Sequence, residues 1–163
     1  MLLSFHLTID LVESIFEWDT RIFWHLVGKY RLELIEAAAR EGISGLIFTF
    51  VCAKNNDDRF IKNIIRRVET HGGEVLFVQL SCRSTVLFRR LKKPSRNKFG
   101  KMRKITTLKA VMKQYELFAS VPYANNLSID NTKLSAHRTA QLIQAHFALP
   151  KQPKRNQKTK IEL

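Results

Sequence analysis

Two apolar runs constrain this chain most: Leu46-Ile47-Phe48-Thr49-Phe50-Val51 and Val75-Leu76-Phe77-Val78-Gln79-Leu80. Each has strand length and is apolar at successive positions, so both faces of the strand need cover. Such strands belong to parallel sheets with helices on both sides. Parallel strands need helical crossovers, and the sequence supplies them. Asp19 or Thr20 caps a helix running to about Arg40, with Ile22, Phe23, Leu26, Val27, Tyr30 and Leu34 at helical spacing and Gly42 ending it. A second helix covers about Asp58–Thr70, with Phe60, Ile61, Ile64, Ile65 and Val68 on one face, and His71-Gly72-Gly73 stops it. A short helix follows at about Thr85–Leu91. Another runs from Thr106 or Thr107 to about Glu116. Leu127–Asp130 is a short strand, and Ser135 caps a last helix reaching about Phe147. The alternation predicts an α/β fold with a mainly parallel sheet. Ligands of open sheets bind at the carboxyl ends of the strands, here Thr49 to Lys54, Ser81 to Arg83 and Asp130 to Thr132.

The length, 163 residues, fits one domain over residues 1–149, followed by a basic, polar tail at 150–163 that is expected to be disordered. No stretch approaches the ~20 apolar residues of a spanning helix. Met1–Ser14 lacks the basic n-region of a signal peptide, and Asp10 and Glu13 interrupt its apolar run, so a cytoplasmic location without membrane contact is expected. Cys52 and Cys82 lie at strand ends and form no CxxC pair, which predicts two reduced, half-buried thiols. His25, His71, His137 and His146 lack metal-ligand spacing and read as surface or helix-end residues; no metal ligands are assigned. Trp18, Phe23 and Trp24 read as core. Asp57 and Asp58 follow the Leu46–Val51 strand, where a Mg²⁺-positioning carboxylate could lie, but a helix N-terminus also favours negative charge.

Net charge is +14, from 28 basic and 14 acidic residues, which calls for an anionic partner: a nucleotide, a phosphorylated metabolite or nucleic acid. Between Glu74 and Glu116 there is no acidic residue, while basic residues run from Arg83 to Lys113. Arg89 and Arg90 fall on a helix. Arg96, Lys98 and Lys101 fall in a loop broken by Pro94 and Gly100. Phosphoryl transfer spreads negative charge that positioned cations stabilise, and a mobile lid can bring them in. The same charges would also suit a solvated loop or a nucleic-acid patch. The chain has no recognised nucleic-acid motif, and aromatic–basic interleaving is confined to Phe88 and Phe99.

Four stretches then resemble a known family in order and spacing: His6-Leu7-Thr8-Ile9-Asp10-Leu11, Gly45 to Val51, Pro94-Ser95-Arg96 with Phe99-Gly100-Lys101, and Leu127-Ser128-Ile129-Asp130. Over residues 5–149 the chain resembles bacterial P-loop kinase-like proteins, described as shikimate-kinase-like or AAA-type ATPases of unknown substrate. The resemblance implies a three-layer, nucleotide-kinase-like parallel sheet with flanking helices and strand order 2-3-1-4-5. Residues 1–6 would be the remnant of the second strand, Leu46–Val51 the third, Val75–Leu80 the fourth and Leu127–Asp130 the fifth. The basic loop would be the lid, with Arg90, Arg96 and Lys101 on the transferred phosphate. Arg89, Asp130 and Thr132 would serve the nucleotide, and His6 and Thr8 the acceptor. Asp10 would be the base that takes the acceptor hydroxyl's proton. Three bland readings stand beside these: Asp10 as a first-turn residue favoured by the helix dipole, His6 as a surface residue, and Asp130 as the cap of the turn Asn131-Thr132. ATP and Mg²⁺ are the implied cofactors. The implied activity is phosphate transfer to a small hydroxyl-bearing metabolite or nucleotide; the alternatives are a basic nucleic-acid-binding protein or a non-catalytic relic.

The sequence departs from the family in one respect. A P-loop reads GxxxxGK[ST] between the first strand and first helix, and none occurs here. Gly28-Lys29 sits inside an amphipathic helix, and Gly100-Lys101 lacks a preceding strand and is followed by Met102. The family's first strand, P-loop and first helix are therefore expected to be missing before Met1. A misassigned start codon, a truncated product or a differently closed sheet would each account for it. In the order 2-3-1-4-5 the third and fourth strands would then carry open edges, which invite oligomerisation.

Overall fold

The computed structural model describes residues 2–3, 5–52, 57–94, 96, 102–115, 117, 123 and 125–150, the first few, up to residue 6, by backbone alone. The elements, in order, are β1 (Leu2–Leu3), α1 (Phe5–Glu13), α2 (Arg21–Arg40), β2 (Ile47–Phe48), α3 (Asp58–Thr70), β3 (Phe77–Ser81), α4 (Ser84–Leu91), α5 (Ile105–Gln114), β4 (Asn126–Asp130) and α6 (Ala136–His146). They fall into two compact units, one within residues 1–75 and 84–120, the other within 76–83 and 121–163.

In the first unit β1 and β2 pair in parallel, Leu2 with Ile47 and Leu3 with Phe48. The strand expected over Leu46–Val51 thus enters a ladder only at Ile47–Phe48. The reason is its partner: the chain turns helical at Phe5, so the strand expected over residues 1–6 offers two residues to pair with. Thr20 caps α2, its hydroxyl accepting from the Phe23 amide at 3.3 Å. At the other end Gly42 takes φ +64°, and the Ile43 amide reaches back to the Ala38 carbonyl at 3.0 Å. That left-handed stop is the helix ending glycine makes without a Cβ clash.

The buried stripe of α2 is Phe23, Val27, Arg31 and Ile35, each four residues from the next. Phe23 and Val27 pack with Ile9 and Val12 of α1 to form the core. This corrects the wider face expected from spacing, because Ile22 and Leu34 remain 45% and 49% exposed. The helices that pack on α2, α1 and α3, bury one narrow row of its side chains and leave the rest of the apolar arc uncovered. Trp18 and Trp24, expected in the core, are also exposed. They stack about Phe23, and the Trp24 indole donates to Asp19 Oδ1 at 2.7 Å. The indole's polar edge is thereby satisfied while its ring shields Phe23.

Helix α3 packs against α2, with Ile61 buried and an ion pair between Arg67 and Glu36. Phe48, Phe50 and Phe60 form a ring cluster that joins β2 to α3, with the rings of Phe50 and Phe60 5.5 Å apart. Gly73 is dictated by close approach: a Cβ there would lie 2.7 Å from Val68 Cγ1.

In the second unit β3 and β4 pair in parallel along five residues, from Phe77 with Asn126 to Ser81 with Asp130. Helix α6 lies on β4, capped by Ser135 as its sequence predicts, with Ile129 and Thr139 buried. Among the described residues no helix is long and apolar enough to cross a membrane. The tail, 151–163, lies outside the described residues.

Candidate functional site

The first place where chemistry-bearing side chains gather is the carboxyl end of the β1–β2 pair. Thr8 points inward from α1 and is 3% exposed, and its Oγ1 accepts from Arg31 Nε at 2.9 Å. Arg31, 4% exposed, stands in the middle of α2's buried stripe. Burial pulls the Arg31 guanidinium down to about 10, and the charge of Asp57 works in the opposite direction. Asp57 is the N-cap of α3 and Asp58 opens its first turn. Cys52, a free and half-buried thiol, precedes them. Burial pushes that thiol up, and Asp57 and Asp58 push it further by disfavouring a thiolate.

Thr8 and Asp10 do not share a face. Two positions along a helix turn the side chain by about 200°, and Asp10 is exposed where Thr8 is buried. Asp10 also lies in the second turn of α1, not the first, so the helix-dipole reading loses its basis. The side chain of His6 lies outside the described residues. Arg31 was missed in the sequence because it replaces an apolar residue within an apolar stripe. Its spacing of four from Val27 and Ile35 is the signal that would have found it.

The second place is the carboxyl end of the β3–β4 pair. The Asn131 amide donates to the Ser81 carbonyl at 2.8 Å, extending the ladder past both strands. The Arg83 amide donates to Thr132 Oγ1 at 2.9 Å, and the Thr132 amide to Asp130 Oδ1 at 2.8 Å. Hydrogen bonds from the Thr132 hydroxyl and amide hold the Asp130 carboxyl below its usual range, with Arg83 assisting. Asp130 and Thr132 are thus brought together, and the contact they make is a turn cap.

The third place is the basic segment. Arg89 is exposed and Arg90 half-buried, both in the last turn of α4, where positive charge suits the helix dipole. Arg96 Nε donates to the Met102 carbonyl at 2.8 Å, closing the base of the loop. Lys98 and Lys101 lie outside the described residues. Beside this closure is a cavity of about 660 Å³ lined by Leu91, Lys92, Met102, Arg103, Lys104 and Thr107. Lys109 Nζ stands 5.7 Å from the centre of the Phe88 ring and ties α5 to α4. Lys92, Arg103 and Lys104 were visible in the sequence only as members of a long basic run.

Among the described residues no group of three or more His, Cys, Asp or Glu side chains could hold a metal ion. The sequence carries no GxxxxGK[ST] motif, the loop whose backbone amides cradle the phosphates of ATP. Compared with protein families, curated proteins and solved structures, the chain matches none.

Proposed function

We propose that these residues form the acceptor and lid portion of a P-loop kinase-like phosphotransferase acting on a small hydroxyl-bearing metabolite or nucleotide in the cytoplasm. The observation that carries the reading is the strand pairing. A parallel order 2-3-1-4-5 that lacks its first strand leaves two parallel pairs, the second with the third and the fourth with the fifth. The chain has β1 beside β2 and β3 beside β4, both parallel. Each pair ends in polar side chains at its carboxyl edge, where ligands of such sheets bind.

In this reading Arg90, Arg96 and Lys101 face the phosphate, Arg89 and the Asp130–Thr132 turn serve the nucleotide, His6 and Asp10 serve the acceptor, and Thr8 supports α1 from its buried side through Arg31. ATP and Mg²⁺ would supply the phosphoryl group and its charge neutralisation. Arg96→Ala would abolish turnover in any active form, because it removes a cation from the transferred phosphate; unchanged turnover would remove the lid assignment.

Calorimetric titration with Mg²⁺-ATP, at moderate salt to screen nonspecific attraction, tests the proposal. It is applied to this chain and to a form extended upstream by a strand, a P-loop and a helix. Saturable one-site binding by either form supports the reading. No binding by both, as folded and monodisperse proteins, overturns it.

A further inference from the structure

We propose that the cavity between the end of α4 and the start of α5 binds a small molecule carrying a diphosphate group, whether or not the chain is a phosphotransferase. Three cations, Lys92, Arg103 and Lys104, line it together with Thr107, and among the described residues no acidic side chain does. The nearest carboxylates in sequence are Glu74 and Glu116. Ion pairs join Lys29 to Glu33, Arg40 to Glu41, and both Arg67 and His71 to Glu36, and none of these includes a residue of the cavity. Three like charges lining one cavity repel one another weakly in water and favour an anion among them.

The size and floor narrow the ligand. A volume of about 660 Å³ falls among small-molecule sites and far exceeds what one phosphate fills. Leu91, 2% exposed, and the half-buried Met102 give the cavity an apolar floor. A phosphoester with a carbon body would set that body on the floor and its phosphates against the cations. Two contacts brace the cavity, Arg96 on the Met102 carbonyl and Lys109 at 5.7 Å from the centre of the Phe88 ring. Such bracing reduces the ordering cost of binding.

The test is calorimetric titration with inorganic pyrophosphate, without ATP, at about 0.15 M salt, where long-range attraction is screened. The intact chain should saturate at one site. Arg103→Ala with Lys104→Ala should weaken binding about tenfold, the scale of one or two partly exposed charge contacts. Lys62→Ala with Arg66→Ala, two exposed cations on α3, removes the same charge elsewhere and should change nothing. All four residues are exposed, so circular dichroism should show both variants folded. Absence of saturation by the intact folded chain overturns the proposal. So does equal weakening in the two variants, which marks a general basic surface of the kind nucleic acid would also find. Because neither pair belongs to the assigned phosphotransfer residues and no ATP is present, this outcome is separable from that of the ATP titration.

Discussion

Arg31 and Thr8 stand 23 residues apart in sequence and 2.9 Å apart in the fold, the guanidinium Nε–H donating to the threonine hydroxyl with both side chains buried. The contact ties α2 to α1 beside the end of β1. Thr8→Val keeps the shape of the side chain and removes this acceptor from a buried, charged donor. It should cost about 1–3 kcal/mol of stability, read as a lower urea midpoint. An unchanged midpoint would show that water or another group takes the bond over.

The two glycines of the α2 region should respond to alanine in opposite directions. Gly28 lies inside the helix, and a Cβ added there would meet nothing within 4 Å, so Gly28→Ala should raise stability by about 0.5–1 kcal/mol. Gly42 has φ +64°, and Gly42→Ala should lower stability by about 1–2 kcal/mol. Thermal unfolding of the pair checks both signs at once.

The Thr132 amide should report the titration of Asp130. Bonds from Thr132 hold this carboxyl below its ordinary value of 3.8. A carboxylate with a depressed folded value stabilises the fold above its unfolded value, and that contribution disappears as pH falls through the folded value. The Thr132 amide shift, followed by NMR, should therefore inflect below 3.8. Asp130→Ala should be less stable than the parent at neutral pH and equal to it at the acid end. An inflection at or above the ordinary value would remove the cap from the account.

Cys52 should be a sluggish nucleophile. Burial and the neighbouring Asp57 and Asp58 favour the thiol over the thiolate, so the pH–rate profile of its alkylation by iodoacetamide should inflect above the ordinary 9.0. Asp57→Asn should lower the inflection without restoring it fully, since burial is the larger cause. An inflection at or below 9.0 would contradict the placement of Cys52.

Much of the local structure could be read from the residues alone. Thr20, Ser135 and Gly42 act as the caps and stop their types imply, and α3 has the bounds Asp58–Thr70 that its apolar spacing marks. The turn role of Asp130 could be read in the same way, because an Asx side chain reaches its own backbone two residues on. The acceptor side was less legible. His6, Thr8 and Asp10 were grouped by the resemblance, as residues that follow a strand and open a helix. Helical geometry separates Thr8 from Asp10 and joins Thr8 instead to Arg31, a residue no local pattern connects to it.

By itself the sequence determined where α2, α3 and α6 begin and end, the parallel character of the strands and the concentration of charge between Glu74 and Glu116. These rest on hydrogen bonds and periodicities that span a few residues. Only the tertiary structure decided that β2 pairs over two residues, that α2 buries the Phe23–Ile35 row and exposes Ile22 and Leu34, and that Lys92, Arg103 and Lys104 line one cavity. Each of these depends on how much surface a distant segment covers, and coverage is a property of the partner's position that no local pattern encodes.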